Sequence, residues 1–207
     1  PLDCTISTHI LLPTSSVWMV QLDAQTGLLG ADALAKCGDA FPFCWSLDNE
    51  AFINIANRRG YDSPTEGYVD GNAIEASYLY NNVGRTGFYY LFVNWYWCCR
   101  GANSTYQVMV GRSTSPTGPF LDKDGVDMTD NGGSVFIANK PGAENGHAFT
   151  GPGHAGILYD TESSKYVYTS HFEDVDGTDR MLVAVELTFD GDAWPASSGE
   201  PWLPQQG

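Results

Sequence analysis

GNAIEASYLYNNVGRTGFYYLFVNWYWCCRGANSTYQVMVGRS, residues 71–113, holds the pattern from which the rest of the chain is read. Over Ala73–Asn81, Phe88–Trp97 and Tyr106–Ser113 apolar and aromatic side chains recur with a period of two, the spacing of half-buried strands. The first two runs are joined by Val83-Gly84-Arg85-Thr86-Gly87, whose glycines predict a hairpin turn. One carboxylate, Glu75, stands between Ile74 and Ala76 at the edge of this aromatic surface. Burial disfavours the charged form of a carboxyl, so such a group can stay protonated near neutral pH and donate to a leaving oxygen.

The same period extends in both directions. Further strands are expected at Val17–Asp23, Ser134–Asn139, His154–Tyr159, Lys165–Glu173 and Met181–Phe189, with turn chemistry at Gln25-Thr26-Gly27, Ser115-Pro116-Thr117-Gly118-Pro119 and Asp190-Gly191-Asp192. Helical periodicity is almost absent, so the chain reads as all-β. Three short meanders can be marked out, over 73–113, 134–170 and 165–190, with the segment around Trp18 belonging to an earlier one. Blades of a β-propeller, at about 40 to 50 residues each, fit this succession. Strands every 8 to 12 residues are equally the mark of a sandwich, and pattern alone leaves the two open.

The 207 residues suffice for one sizeable core and are read as a single domain, residues 1–207. Ten basic against 25 acidic residues give a net charge of −15, which argues against nucleic acid or an anionic membrane face as partner and suits a neutral ligand. No apolar run approaches the roughly 18 to 20 residues of a membrane span. The five cysteines, Cys4, Cys37, Cys44, Cys98 and Cys99, are an odd number and fit no zinc spacing. Cys37 and Cys44 enclose a short loop and could bridge. Cys98 and Cys99 are neighbours, to be read as two packed thiols or as one eight-membered ring. With few lysines, an acidic balance and a sequon at Asn103-Ser104-Thr105, a secreted, extracellular protein is expected.

From Val17 to Pro195 the chain resembles the endo-arabinanases of glycoside hydrolase family 43. The resemblance is carried by Val17-Trp18-Met19-Val20-Gln21-Leu22-Asp23, Asn72-Ala73-Ile74-Glu75-Ala76, Tyr89-Tyr90-Leu91-Phe92-Val93, Cys98-Cys99-Arg100-Gly101, Asn103-Ser104-Thr105-Tyr106, Val110-Gly111-Arg112-Ser113, Gly118-Pro119-Phe120, Gly151-Pro152-Gly153-His154-Ala155-Gly156 and Trp194-Pro195. Together these motifs are specific, whereas any one alone is weak. The resemblance implies a five-bladed β-propeller, here cut to roughly three to four blades. It also implies inverting hydrolysis of α-1,5-linked arabinan by a monomer.

In that family the Glu of an Ile-Glu-Ala motif is the general acid, which assigns the role to Glu75, with Ser77 where a Pro is usual. Unbroken alternation would put Ala73, Glu75 and Ser77 on one face and Ile74, Ala76 and Tyr78 on the other. Inversion needs a second carboxylate roughly 6.5 to 9.5 Å away as base. The family carries it on a first blade, and this sequence is expected to begin after that blade, which leaves the activity of the chain open. Leu2-Asp3-Cys4 faintly resembles the family's Ile-Asp-Pro motif, making Asp3 the candidate that tunes the acid, against the reading of a frayed terminus. His154 resembles the histidine that contacts a central ion, often assigned as calcium. An imidazole is an unusual calcium ligand, and a buried, hydrogen-bonded histidine is the alternative. His9, His147 and His171 are given no role.

Sugar clefts pair exposed rings with hydroxyl, amide or guanidinium partners, so Asn94, Trp95, Trp97 and Arg100 are expected to line one, unless the tryptophans belong to the core. Two classes of function follow: a hydrolase of α-L-arabinan using Glu75, or a carbohydrate-binding propeller without catalysis. An exo-acting arabinofuranosidase or β-xylosidase is the enzymatic alternative.

Overall fold

The computed structural model describes residues 4–7, 16–37, 52–59, 72–138, 150–173 and 180–197. Three antiparallel sheets form their framework. The first joins β1 (Cys4–Ser7), β2 (Ser16–Gln21) and β3 (Phe52–Asn57). The second runs β4 (Ile74–Asn81), β5 (Tyr89–Trp95), β6 (Gln107–Ser113) and β7 (Ser134–Ile137) in sequence order. The third runs β8 (Thr150–Asp160), β9 (Lys165–Glu173), β10 (Arg180–Phe189) and β11 (Pro195–Ser197). The expected period of two is borne out, with boundaries shifted by a few residues. The third meander boundary is corrected: β7 pairs with β6 through Val110↔Ser134 and closes the second sheet, leaving β8–β11 as a unit.

The middle sheet decides between propeller and sandwich. Its residues alternate cleanly between two cores. Ile74, Leu91, Val93, Trp95 and Met109 pack with Val17, Met19, Ile55 and Ala56 of the first sheet. Tyr90, Phe92, Val108 and Val110 pack with Tyr168, Phe172, Val183, Val185 and Leu187 of the third. A sheet covered on both faces by two further sheets does not fit a two-layer sandwich. The innermost strands also converge, β4 lying against both β1 and β8. This is blade-on-blade packing, and each fully buried Leu, Val or Phe side chain in it contributes about 1.5–3 kcal/mol.

Polar ties reinforce the blade interfaces. Tyr90 Oη donates to the Ala193 carbonyl at 2.6 Å, and Tyr166 Oη to Asn82 Oδ1 at 3.1 Å. Between the first two sheets Asn57 Nδ2 donates to the Thr129 carbonyl at 2.7 Å. The hairpin expected at 83–87 is a single helical turn, α2 (Val83–Thr86), stopped by Gly87 at φ 84°, where a side chain would be strained. The all-β reading is borne out, helix being confined to short pieces such as α1 (Ala31–Cys37), an Ala- and Leu-containing turn whose length hides any period. Among the described residues no helix is long and apolar enough to cross a membrane.

Candidate active site

One end of the second and third sheets gathers the start of β4, the end of β5, the approach to β6, the start of β8 and the end of β9. Glu75 is the second residue of β4, half-buried, and pairs with Asn94 across the ladder. Immediately after it the alternation breaks. The register steps from Glu75↔Asn94 to Tyr78↔Phe92, so β4 has one residue more than β5, and Ala76 takes φ 49°. A bulge of this kind re-aims the side chains beside it. The expected faces are therefore corrected: Glu75 shares its face with Tyr78 and Tyr80, turned toward β8–β11, rather than with Ser77. The hydroxyl of Tyr106, itself buried, donates to Glu75 Oε2 at 3.1 Å.

The start of β8 supplies the facing wall. Asn94 Oδ1 accepts the His154 backbone N–H at 3.2 Å, and Asn94 Nδ2 donates to the Pro152 carbonyl at 2.8 Å and the Gln107 carbonyl at 3.2 Å. The glycines of Gly151-Pro152-Gly153-His154 are explained by close approach. A Cβ on Gly153 would stand 2.5 Å from the Tyr106 ring, and one on Gly151 would stand 2.6 Å from Ser104 Oγ. His154 is exposed, at φ 54°, with its ring centroid 5.2 Å from that of His171. Burial, followed by the neighbouring His154, holds the His171 imidazole below its ordinary pKa, with Glu173 opposing.

Glu173, at the end of β9, is fully buried beneath the loop after β5. Its carboxylate accepts the Cys99 N–H at 2.5 Å and the Gly101 N–H at 3.1 Å. Above it Cys98 and Cys99 are joined in a disulfide, which selects the ring over the two thiols. Arg100 is exposed, with its guanidinium 4.1 Å over the Trp97 ring.

The expected cleft residues divide. Arg100 and Trp97 lie at this end and reach the surface. Asn94 and Trp95 do not, and the expectation that they contact a sugar is corrected: they are 1% and 6% exposed. Trp95 faces the first sheet, with the Arg58 guanidinium 3.8 Å over its ring. Tyr96, at φ 70°, joins it there instead of following Asn94. Asp3, His9 and His147 lie outside the described residues, as do the side chains of Cys4, Cys37 and Cys44. Tyr106, His171 and Glu173 were not singled out in the sequence. Their chemistry depends on strands far apart in the chain, and only the motif position of Tyr106 hinted at it.

A cation at His154 finds little support in the donors present. Among the described residues the one group of three clustered acidic, thiol or imidazole ligands is Cys98, Cys99 and Glu173, two of which are already bonded to each other. His154 and His171 offer nitrogen, whereas calcium takes oxygen ligands. The described residues alone do not build a calcium site.

Residues 47–195 match the sequence family described as glycosyl hydrolases family 43. The extracellular exo-α-(1→5)-L-arabinofuranosidase ArbA of Cellvibrio japonicus is 36% identical over 122 residues, 59% of this chain and 32% of its own. The extracellular endo-α-(1→5)-L-arabinanase 1 of Bacillus subtilis is 48% identical over 68 residues, 32% of this chain and 20% of its own. Among solved structures, the Cellvibrio cellulosa α-L-arabinanase complexed with arabinohexaose superposes with a TM-score of 0.64 at 26% identity, covering 88% of this chain and 50% of that one. An exo-1,5-α-L-arabinanase from a bovine ruminal metagenomic library gives 0.62 at 29% identity, covering 87% and 48%. The chain thus spans no more than half the length of these relatives.

Proposed function

This chain belongs to the glycosyl hydrolases family 43, and from that membership we propose that it forms part of an endo-acting arabinanase that cleaves α-1,5-L-arabinofuranosyl linkages by inversion. The observation that carries the reading is Glu75: a half-buried carboxyl on a bulge at the mouth between two inner strands, held through one oxygen by Tyr106. Relatives of both halves of the resemblance, in sequence and in structure, are named for arabinan linkages.

Glu75 gives its proton to the glycosidic oxygen as the bond to the anomeric carbon breaks. A water activated by a second carboxylate on the opposite face adds to that carbon, and the sugar leaves with inverted configuration. No described residue is assigned as that base. Arg100 on the face of Trp97 offers an exposed guanidinium to furanose hydroxyls. His154 is proposed to touch an ion in the central channel whose other ligands are water, checked by metal analysis of the purified protein; no step runs through it. The extracellular relatives, the exposed Asn103 of the sequon and a disulfide that persists under oxidising conditions favour secretion.

Reducing-sugar release from linear arabinan by the intact protein tests the proposal. Glu75→Gln is expected to lower the rate by about 10²- to 10⁴-fold. Early release of mixed oligosaccharides indicates endo action, and arabinose alone indicates exo action. Binding of arabino-oligosaccharide without turnover, indifferent to Glu75→Gln, overturns the hydrolase reading.

A further inference from the structure

Tyr106 sits where a carboxyl could be steered. Among the described residues it is the one hydrogen-bond partner of the Glu75 side chain, and it addresses a single oxygen, Oε2. The phenol has little freedom. It is 2% exposed, its ring stacks on His171 with centroids 6.4 Å apart and planes 24° apart, and Gly153 packs directly on its edge. The preceding residue is fixed as well, Thr105 N–H donating to the Trp97 carbonyl at 2.9 Å. Burial, reinforced by the Glu75 carboxyl, holds the phenol far above the ordinary tyrosine range, so its oxygen keeps its proton and remains a donor.

We propose that Tyr106 is a positioning residue for Glu75, pinning Oε2 so that the opposite oxygen, Oε1, carries the proton and delivers it to the glycosidic oxygen. The inference rests on the reading of Glu75 as the acid. A donor fixed on Oε2 leaves one oxygen for the proton and one carboxyl plane for its delivery. Without it the carboxyl rotates about its terminal torsion, which is broad and nearly two-fold. Taking a hydrogen-bond donor away from a carboxyl withdraws a stabilisation of its charged form. At this end of the packed strands the other titratable or charged groups are His154 on β8, His171 and Glu173 on β9 and Arg180 at the start of β10; the last two and His154 act on His171.

The test is the pH–rate profile of intact Tyr106→Phe on linear arabinan, with parallel ¹³C NMR titration of the Glu75 carboxyl, its signal identified by loss in Glu75→Gln. The expected result is a kcat/KM about 10- to 100-fold lower, with KM little changed. The alkaline limb, where the acid loses its proton, moves to higher pH together with the NMR midpoint. Replacing Tyr106 by 3-fluorotyrosine, a near-isosteric and stronger donor, moves both to lower pH and guards against a phenylalanine variant that fails to fold. A limb and midpoint unmoved by either substitution overturn the proposal, even if activity falls. Undiminished hydrolysis by Glu75→Gln removes the acid assignment and this inference with it. Abolished hydrolysis there, with an unmoved limb in the Tyr106 variants, removes this inference alone.

Discussion

The side-chain amide of Asn94 bolts the second sheet to His154: Oδ1 accepts the His154 backbone N–H at 3.2 Å while Nδ2 reaches the Pro152 carbonyl at 2.8 Å. Asn94 stands opposite Glu75 on the ladder, so the bolt fixes the wall facing the candidate acid. An isosteric apolar side chain would fill the volume and satisfy none of these partners. Asn94→Leu is expected to cost about 1–3 kcal/mol of stability, read as a lower urea midpoint. A residue that gripped sugar directly would instead raise KM with stability unchanged.

Trp95 and Arg100 lie five residues apart in the chain and belong to different parts of the protein. Trp95 fills the core between the first two sheets under the Arg58 guanidinium, and Trp95→Ala is expected to cost about 3–5 kcal/mol. Arg100 is exposed on Trp97. Arg100→Ala is therefore expected to leave the melting temperature within about 2 °C, as surface substitutions do, and to raise KM for arabino-oligosaccharides. Paired thermal melts and initial rates separate the two.

Much of this arrangement was legible because strands announce themselves by alternation, and Lys165–Glu173 falls where the sequence put it. Alternation also carried the error. It assumes an unbroken ladder, and the bulge after Glu75 reverses which neighbours share its face. Nothing in Ile74-Glu75-Ala76-Ser77 signals the positive φ of Ala76, since alanine is not a residue that prefers it. Trp95 and Trp97 likewise look equivalent two residues apart, until the turn at Tyr96 ends the strand between them. The partner of Glu75 comes from the residue before β6, that of the Cys98–Cys99 loop from β9 and that of Asn94 from β8, separations that local pattern does not span.

The Cys98–Cys99 disulfide joins adjacent residues, so it closes no length of chain. Loop-closure stabilisation grows with the residues enclosed, and here that contribution is nearly absent. Reduction is expected to leave global stability almost unchanged, with melting temperatures in the presence and absence of reductant agreeing within about 2 °C. Glu173→Ala behaves otherwise. It strips the Cys99 and Gly101 N–H groups of a buried acceptor, a loss of about 1–3 kcal/mol for each donor left unsatisfied. Should reduction unfold the protein and Glu173→Ala leave it intact, the loop is held by the disulfide and not by the carboxylate.

Acid destabilisation has a specific source in His171. Burial and the adjacent His154 lower its pKa in the folded protein from the ordinary value of 6.5. The unfolded chain therefore binds more protons than the folded one from about pH 6.5 down to the folded value, and stability rises with pH across that window. The stabilisation is complete above about pH 6.5 and is lost as pH falls toward the lowered pKa. Gln at this position cannot titrate, so His171→Gln is expected to flatten the dependence of the urea midpoint between pH 7.5 and 5.5. His154 lies against His171, and its variant His154→Gln serves as the comparison: it removes the neighbouring imidazole that helps lower the His171 pKa, raises that pKa toward its ordinary value, and narrows the window without abolishing it. Equal slopes in the wild type and His171→Gln would assign the acid sensitivity to other groups.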